Sequence, residues 1–239
     1  MKYKVVLSAA ISFFAAWNLN YHGQTLRQTE AETETETAFE AEASAPARAL
    51  PADPARYHEI ALGSAKSSSG ILEAYRNPKY DEAVRGFFTA LTGSRELALI
   101  LLEGADKYNL DPALVFALCW EESRYNRYAR NAKNVNGSVD RGLFQLNDRS
   151  FPRLSEGEFF NPAINTAVAL KHLRFCIDTG GSDVSGLAMY NAGPARVGKG
   201  ATPPKTLNYI ARINNYRSGI TGLFRQELLF PAGEGGAVF

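Results

Sequence analysis

From Ile71 onward, apolar residues recur at helical spacing along most of the chain. Between Asp81 and Leu91, the side chains of Val84, Phe87, Phe88 and Leu91 fall on one face of a 3.6-residue helix. Ser94 stands where an N-cap belongs, ahead of a segment running to about Lys107 with Leu97, Ile100, Leu101 and Ala105 on one side. Asp111-Pro112 predicts a sharp helix start, because the carboxylate accepts from free N–H groups and Pro suits the first helical position. That helix carries Leu114, Val115, Leu118 and Cys119 and arrives at Glu121-Glu122. Further helices are predicted from Pro162 to about Asp178, from Val184 to Tyr190 and from Thr206 to Arg217. The stretch Asn131 to Asp140, full of Asn, Gly, Ser and Asp, predicts irregular chain with room for a short hairpin. No long alternating strand interrupts this pattern, so the fold class is mainly α.

The ends of the chain are patterned differently. Lys2 and Lys4 precede a run from Val5 to Trp17 that is apolar or small apart from its serines. This is short for a bilayer span and suits a signal h-region, so residues 1–23 read as a signal peptide or a retained N-terminal membrane anchor. Residues 24–69 hold Thr-Glu repeats and Ala/Pro/Ser mixtures that cannot bury a core; they are expected to form a disordered acidic tether. A catalytic domain is placed at 70–220 and a tail at 221–239. This organisation implies an exported protein of the periplasm or cell envelope.

Composition adds limits more than direction. The net charge is +1, but the crowding of Glu30, Glu32, Glu34, Glu36, Glu40 and Glu42 leaves the remainder mildly basic. That suits an anionic polymer such as a cell wall; with no basic run interleaved with aromatics, nucleic acid is not the expected partner. His22, His58 and His172 are scattered and have no partners at ligand spacing, so neither metal nor cofactor is implied. Cys119 and Cys176 fit one disulfide or two buried thiols equally well.

The candidate for chemistry is Glu122. It lies four positions after Leu118 and three after Cys119, extending their stripe, so its carboxyl is expected to be partly desolvated with a raised pKa. A carboxylic acid protonated near neutral pH can protonate a glycosidic leaving oxygen. Glu121 fits the stripe through Leu114 and Ala117 nearly as well, and both could be surface acids at a helix end.

The text that follows narrows this. Glu122-Ser123-Arg124-Tyr125-Asn126 is succeeded by Asn134-Val-Asn-Gly137-Ser138-Val-Asp140-Arg-Gly142-Leu143-Phe144-Gln145-Leu146-Asn147. Next come Asn161-Pro162-Ala-Ile-Asn165, Ala188-Met-Tyr190-Asn191-Ala192-Gly193-Pro194 and Thr206-Leu-Asn-Tyr209-Ile210. In this order the motifs resemble the soluble lytic transglycosylases of the lysozyme-like superfamily, of the specialised type that accompanies secretion systems. The resemblance spans roughly Leu97 to Tyr216.

It implies a lysozyme-like, goose-type helical domain acting on peptidoglycan glycan strands, with an envelope-spanning assembly as a candidate partner. Glu122 would be the single acid/base, protonating the oxygen that leaves N-acetylmuramic acid C1 and then accepting the proton of the C6 hydroxyl as it closes a 1,6-anhydro ring. Ser123, Ser138, Asp140, Gln145, Tyr190, Asn191 and Tyr209 would line the substrate site, with Tyr209 near the acid. Gly142 is expected to admit a sugar chain close to the backbone, and Gly193-Pro194 to open a loop. Phe144 departs from the usual methionine, a volume-conserving change. Asp140 matters more: the stretch from Glu122 to Asn147 also resembles c-type lysozymes, where an aspartate at that place is the second carboxylate of a retaining hydrolase. It could also simply cap a turn. The alternatives to the lyase are thus a hydrolase using Glu122 and Asp140, or a non-catalytic peptidoglycan-binding module.

Overall fold

The structure, a computed structural model, describes residues 69–229. Residues 1–68, where the signal or anchor and the tether are expected, and residues 230–239 lie outside the described residues. Helices α1 (Ile71–Arg76), α2 (Asp81–Thr92), α3 (Arg95–Lys107) and α4 (Pro112–Ser123) lead into strands β1 (Arg130–Asn131), β2 (Asp140–Arg141) and β3 (Leu146–Asn147). Helices α5 (Glu156–Phe160), α6 (Pro162–Gly180), α7 (Asp183–Ala192), α8 (Pro194–Gly198) and α9 (Pro204–Phe224) follow, and a π-helical turn spans Arg225–Leu229.

The expected caps close the expected helices. The Ser94 hydroxyl accepts from the Leu97 N–H, and the Asp111 carboxylate from that of Ala113. Asn161 accepts from the N–H groups of both Ala163 and Ile164 at the start of α6. Two boundaries differ. After Gly193 the chain makes the short helix α8 rather than an open loop, because Pro194 suits the first helical position. Helix α9 runs beyond Arg217, and the folded part continues past residue 220: Phe224 is buried and meets Phe87 edge to face, 5.4 Å between centroids.

Helix α4 is the centre of the domain. Every side chain from Ala113 to Cys119 is buried, so the helix is apolar all round instead of carrying one stripe. It packs on α9, α3 and α1, while α6 pairs with α7 and also contacts α3. Among the described residues no helix is long and apolar enough to cross a membrane. Cys119, on α4, and Cys176, on α6, are both buried and unpaired, which resolves the two cysteine alternatives in favour of thiols.

The region 131–140 folds into a small antiparallel sheet, β1-β2-β3, with Asn131 opposite Asp140 and Asp140 opposite Asn147. A single buried side chain ties it to the helices. The Asn165 amide donates to the carbonyls of Phe159 (2.9 Å) and Arg141 (3.2 Å) and accepts from the Phe144 N–H (2.9 Å). Gly142 is required by this clamp. At φ 80°, a Cβ there would lie 2.1 Å from the Phe159 carbonyl oxygen and 2.4 Å from the Asn165 amide nitrogen. The close approach is therefore to the protein's own backbone, not to a sugar. Replacing Asn165 with Ala leaves buried backbone groups unpaired and should cost about 3 kcal/mol in chemical denaturation; a loss near zero would mean that the clamp does not hold the sheet.

Candidate active site

Glu122 leaves the buried helix α4 in its last turn, half-buried, and meets α9. The Tyr209 hydroxyl donates to its Oε1 at 2.6 Å across a separation of 87 residues. Its other oxygen, Oε2, has no hydrogen-bond partner among the described residues. Burial pushes the Glu122 carboxyl up to about 8; the Tyr209 bond opposes that rise, and the charges of Glu121 and Asp140 add to it. Tyr209 itself is buried, and its phenol is pushed well above the ordinary range by burial and by the Glu122 charge.

Glu121 is not a loose surface acid. Its side chain is only 11% exposed, and Arg212 reaches its Oε1 through Nε at 2.8 Å and an Nη at 2.6 Å. Arg124 lies 3.6 Å from its other oxygen. Adjacent glutamates of α4 are thus each held by α9, through side chains one turn apart. Helix periodicity treated them nearly alike; the partners that α9 presents give them different chemistry. Glu121 gets a guanidinium, while Glu122 gets a neutral phenol in a dry setting, which leaves room for its acid form. The pairing of Glu121 with Arg212, 91 positions on, carries no local sequence signal.

The backbone is unusual around this point. Arg124 and Tyr125, directly after α4, have φ of 55° and 63°, and Gln145 has 46°. For residues with a Cβ this is a sparsely populated region, and it is held here by surrounding bonds. The Arg124 N–H donates to the Trp120 carbonyl, and the Tyr125 hydroxyl to that of Phe116. The Gln145 amide nitrogen donates to the carbonyls of Ala129 (3.1 Å) and Gly142 (3.0 Å), so its donor end serves the backbone.

Asp140, on β2, is enclosed by amides. Its Oδ2 accepts from Asn131 (3.0 Å) and Asn134 (2.9 Å), and its Oδ1 from Asn147 (2.7 Å). It is the hub of the sheet's polar network, not the cap of one turn. The two serine hydroxyls expected at the substrate bond within the protein. Ser123 is buried and donates to the Cys119 carbonyl one turn back; Ser138 is buried, donating to Asn136 and accepting from Asn147. Tyr190, half-buried on α7, donates to the Phe144 carbonyl at 3.1 Å, and its phenol is raised by burial and by the Glu122 charge. Asn191 is exposed, and its Oδ1 accepts from the buried Thr206 hydroxyl at 2.8 Å, joining the end of α7 to the start of α9.

The structure thus brings Glu122, Tyr209 and Tyr190 together, with the Asp140 charge in range. It turns Ser123 and Ser138 inward. Sequence reasoning passed over Asn165, quoted in a motif but given no role, and Arg212.

Comparison with known proteins agrees with this geometry. The family model for the transglycosylase SLT domain matches residues 100–212, a span that includes all of these residues. Over 97 residues the chain is 31% identical to Protein IpgF of Shigella sonnei, covering 38% of this chain and 63% of that protein. The chain thus spans less than two thirds of the length of the curated relative it matches. No solved structure matches it. The segment from residue 100 to 212, mainly helical, is thus similar to the transglycosylase SLT domain, a lysozyme-like fold.

Proposed function

We propose that this domain is a peptidoglycan lytic transglycosylase. It cleaves the β-1,4 bond between N-acetylmuramic acid and N-acetylglucosamine and leaves 1,6-anhydro-muramic ends, with Glu122 as its single acid/base. The observation that carries this reading is the asymmetry of the Glu122 carboxyl. Tyr209 occupies Oε1, so the acid proton resides on Oε2, the oxygen without a protein partner. A carboxyl raised to about 8 still holds that proton at neutral pH. It passes to the leaving oxygen as the bond to C1 breaks. The resulting carboxylate then accepts the C6 hydroxyl proton while the C6 oxygen bonds to C1. The proton count closes without water, so no second carboxylate is needed.

The lysozyme-type reading would use Asp140 as the second carboxylate. Its three amide contacts argue against it, because attack on C1 requires an oxygen that can leave its hydrogen bonds and move to the sugar. Asp140→Asn is a poor discriminator, since the new amide group would face the amide donors of Asn131, Asn134 and Asn147 and disturb the sheet. Product mass is the better test. Digestion of purified peptidoglycan should yield muropeptides lighter by one water than hydrolytic products; reducing-end products would overturn the lyase in favour of the hydrolase. With no cleavage and retained affinity for sacculi, a binding module would stand instead. We further propose export through the N-terminal apolar run to the periplasm or cell envelope, beside a larger envelope assembly; recovery from the cytosolic fraction alone would count against both.

Glu122→Gln should lower turnover roughly a thousandfold. In the unaltered protein the alkaline limb of the activity profile should lie near the raised carboxyl value of about 8. Tyr209→Phe removes a bond that lowers this value, so the limb should move to higher pH; a downward move would contradict the role given to the bond.

Stability offers an independent check. A folded-state pKa raised from 4.5 to about 8 means that the native state holds the proton more tightly than the unfolded chain. The stabilisation is fully present below 4.5 and is lost as pH rises through about 8. Glu122→Gln has no such proton to lose. Its melting temperature relative to the unaltered protein should therefore climb across that window, and a flat difference would rule out the raised value.

A further inference from the structure

From Val184 to Gln226 the chain contains no Asp or Glu, yet it carries Arg196, Lys199, Lys205, Arg212, Arg217 and Arg225. Two of these cations are spent inside the fold: Arg212 on Glu121, and Arg217 on Asp111 and Asp183. Arg196, Lys199 and Lys205 are different. All three are exposed, and none has an acidic partner among the described residues. They sit together on one excursion of chain, from Gly193 through α8 to the start of α9.

That excursion is fixed beside the candidate active site at both ends. It leaves α7 just after Tyr190 and Asn191 and re-enters at Thr206, whose hydroxyl donates to Asn191 at 2.8 Å. One turn further along α9, Tyr209 holds Glu122. Within the excursion the chain is turned back on itself by the Gly200 N–H to the Val197 carbonyl (2.9 Å) and the Ala201 N–H to the Arg196 carbonyl (3.1 Å). The result is a closed loop, anchored next to the acid, presenting cations with no internal anion to neutralise them.

We propose that this loop is a subsite for the carboxylates of the peptide stems on muramic acid, so that the domain prefers strands that still carry their stems. The proposal rests on the peptidoglycan reading above and adds which part of the polymer is recognised besides the glycan. Unpaired surface cations beside a site attract anions over about 8–10 Å at moderate ionic strength. The stems are the anionic groups that a glycan strand carries at regular intervals. The neutral sugar hydroxyls and N-acetyl groups give Arg196, Lys199 and Lys205 no opposite charge to meet.

The test compares intact strands with strands stripped of their stems by an amidase, the lactyl carboxylates so freed being capped as methyl amides, using the full chain. Turnover and cosedimentation are both read for the unaltered protein, for Lys199→Gln/Lys205→Gln, and for the equal-charge control Lys79→Gln/Lys107→Gln, in the turn before α2 and at the end of α3. The preference for stem-bearing over stripped strands should fall about fivefold in the loop variant, more at low salt than at high, and stay intact in the control. A preference that survives in the loop variant, falls equally in the control, or is missing from the unaltered protein overturns the subsite. Absence of turnover on both substrates, with a stem-dependent cosedimentation that the loop variant loses, would sink the lyase while leaving the subsite standing.

Discussion

A carboxyl group at the end of a helix that is apolar on every side has few ways to be satisfied. Helix α4 is buried from Ala113 to Cys119, so the carboxyl of Glu122 emerges from a setting that disfavours charge. One neutral hydroxyl, that of Tyr209, meets it at 2.6 Å. The rest of the site depends on this contact. A cation in place of the phenol would have pulled the group down into the carboxylate range; the cation nearby, Arg212, pairs with Glu121 instead. The phenol instead orients the group, and burial keeps its proton in place.

The contact requires α9 to lie against α4 in a fixed register. Several interactions share that task. Arg212 pairs with Glu121, Arg217 spans Asp111 at the N-cap of α4 and Asp183 on α7, and Trp120 stacks against Tyr216 with 5.2 Å between nearly parallel rings. The exposed pairs among these contribute little energy individually. Their value lies in fixing position, since a slip of α9 by one residue would carry the Tyr209 hydroxyl away from Glu122. On the other side of the acid, the small sheet is held by Asn165 and by the amides around Asp140. A carboxylate there without a cation is tolerable because three amide donors satisfy it. That arrangement gives the site a fixed negative charge, one that raises the Glu122 carboxyl but is already committed to its own hydrogen bonds.

Much of the architecture was legible from local rules. Ser94 and Asp111 cap the helices that their side chains predict, because an N-cap needs only a short polar side chain and the next few N–H groups. The polar stretch 131–140 folds as a short hairpin for the same local reason. What local rules could not show was a residue's role where it depends on what packs against it. Gly142 was read as making room for sugar, and it makes room for Phe159 and Asn165. Gln145, Ser123 and Ser138 are residue types that suit a carbohydrate, yet their donors are consumed by backbone carbonyls and a neighbouring asparagine.

The sequence by itself determined the helices, their caps, the ordered motifs and the presence of two adjacent glutamates at the end of a buried helix. It did so because hydrophobic period and capping act within a few residues. It could not separate Glu122 from Glu121 by periodicity, since α4 has no exposed face for one of them to avoid. Only the tertiary structure decided that, by bringing residues 87 and 91 positions further along into contact: a phenol for Glu122 and a guanidinium for Glu121. The same packing gave Asp140 its amide partners and left the cations of the α8–α9 loop without an acidic partner among the described residues.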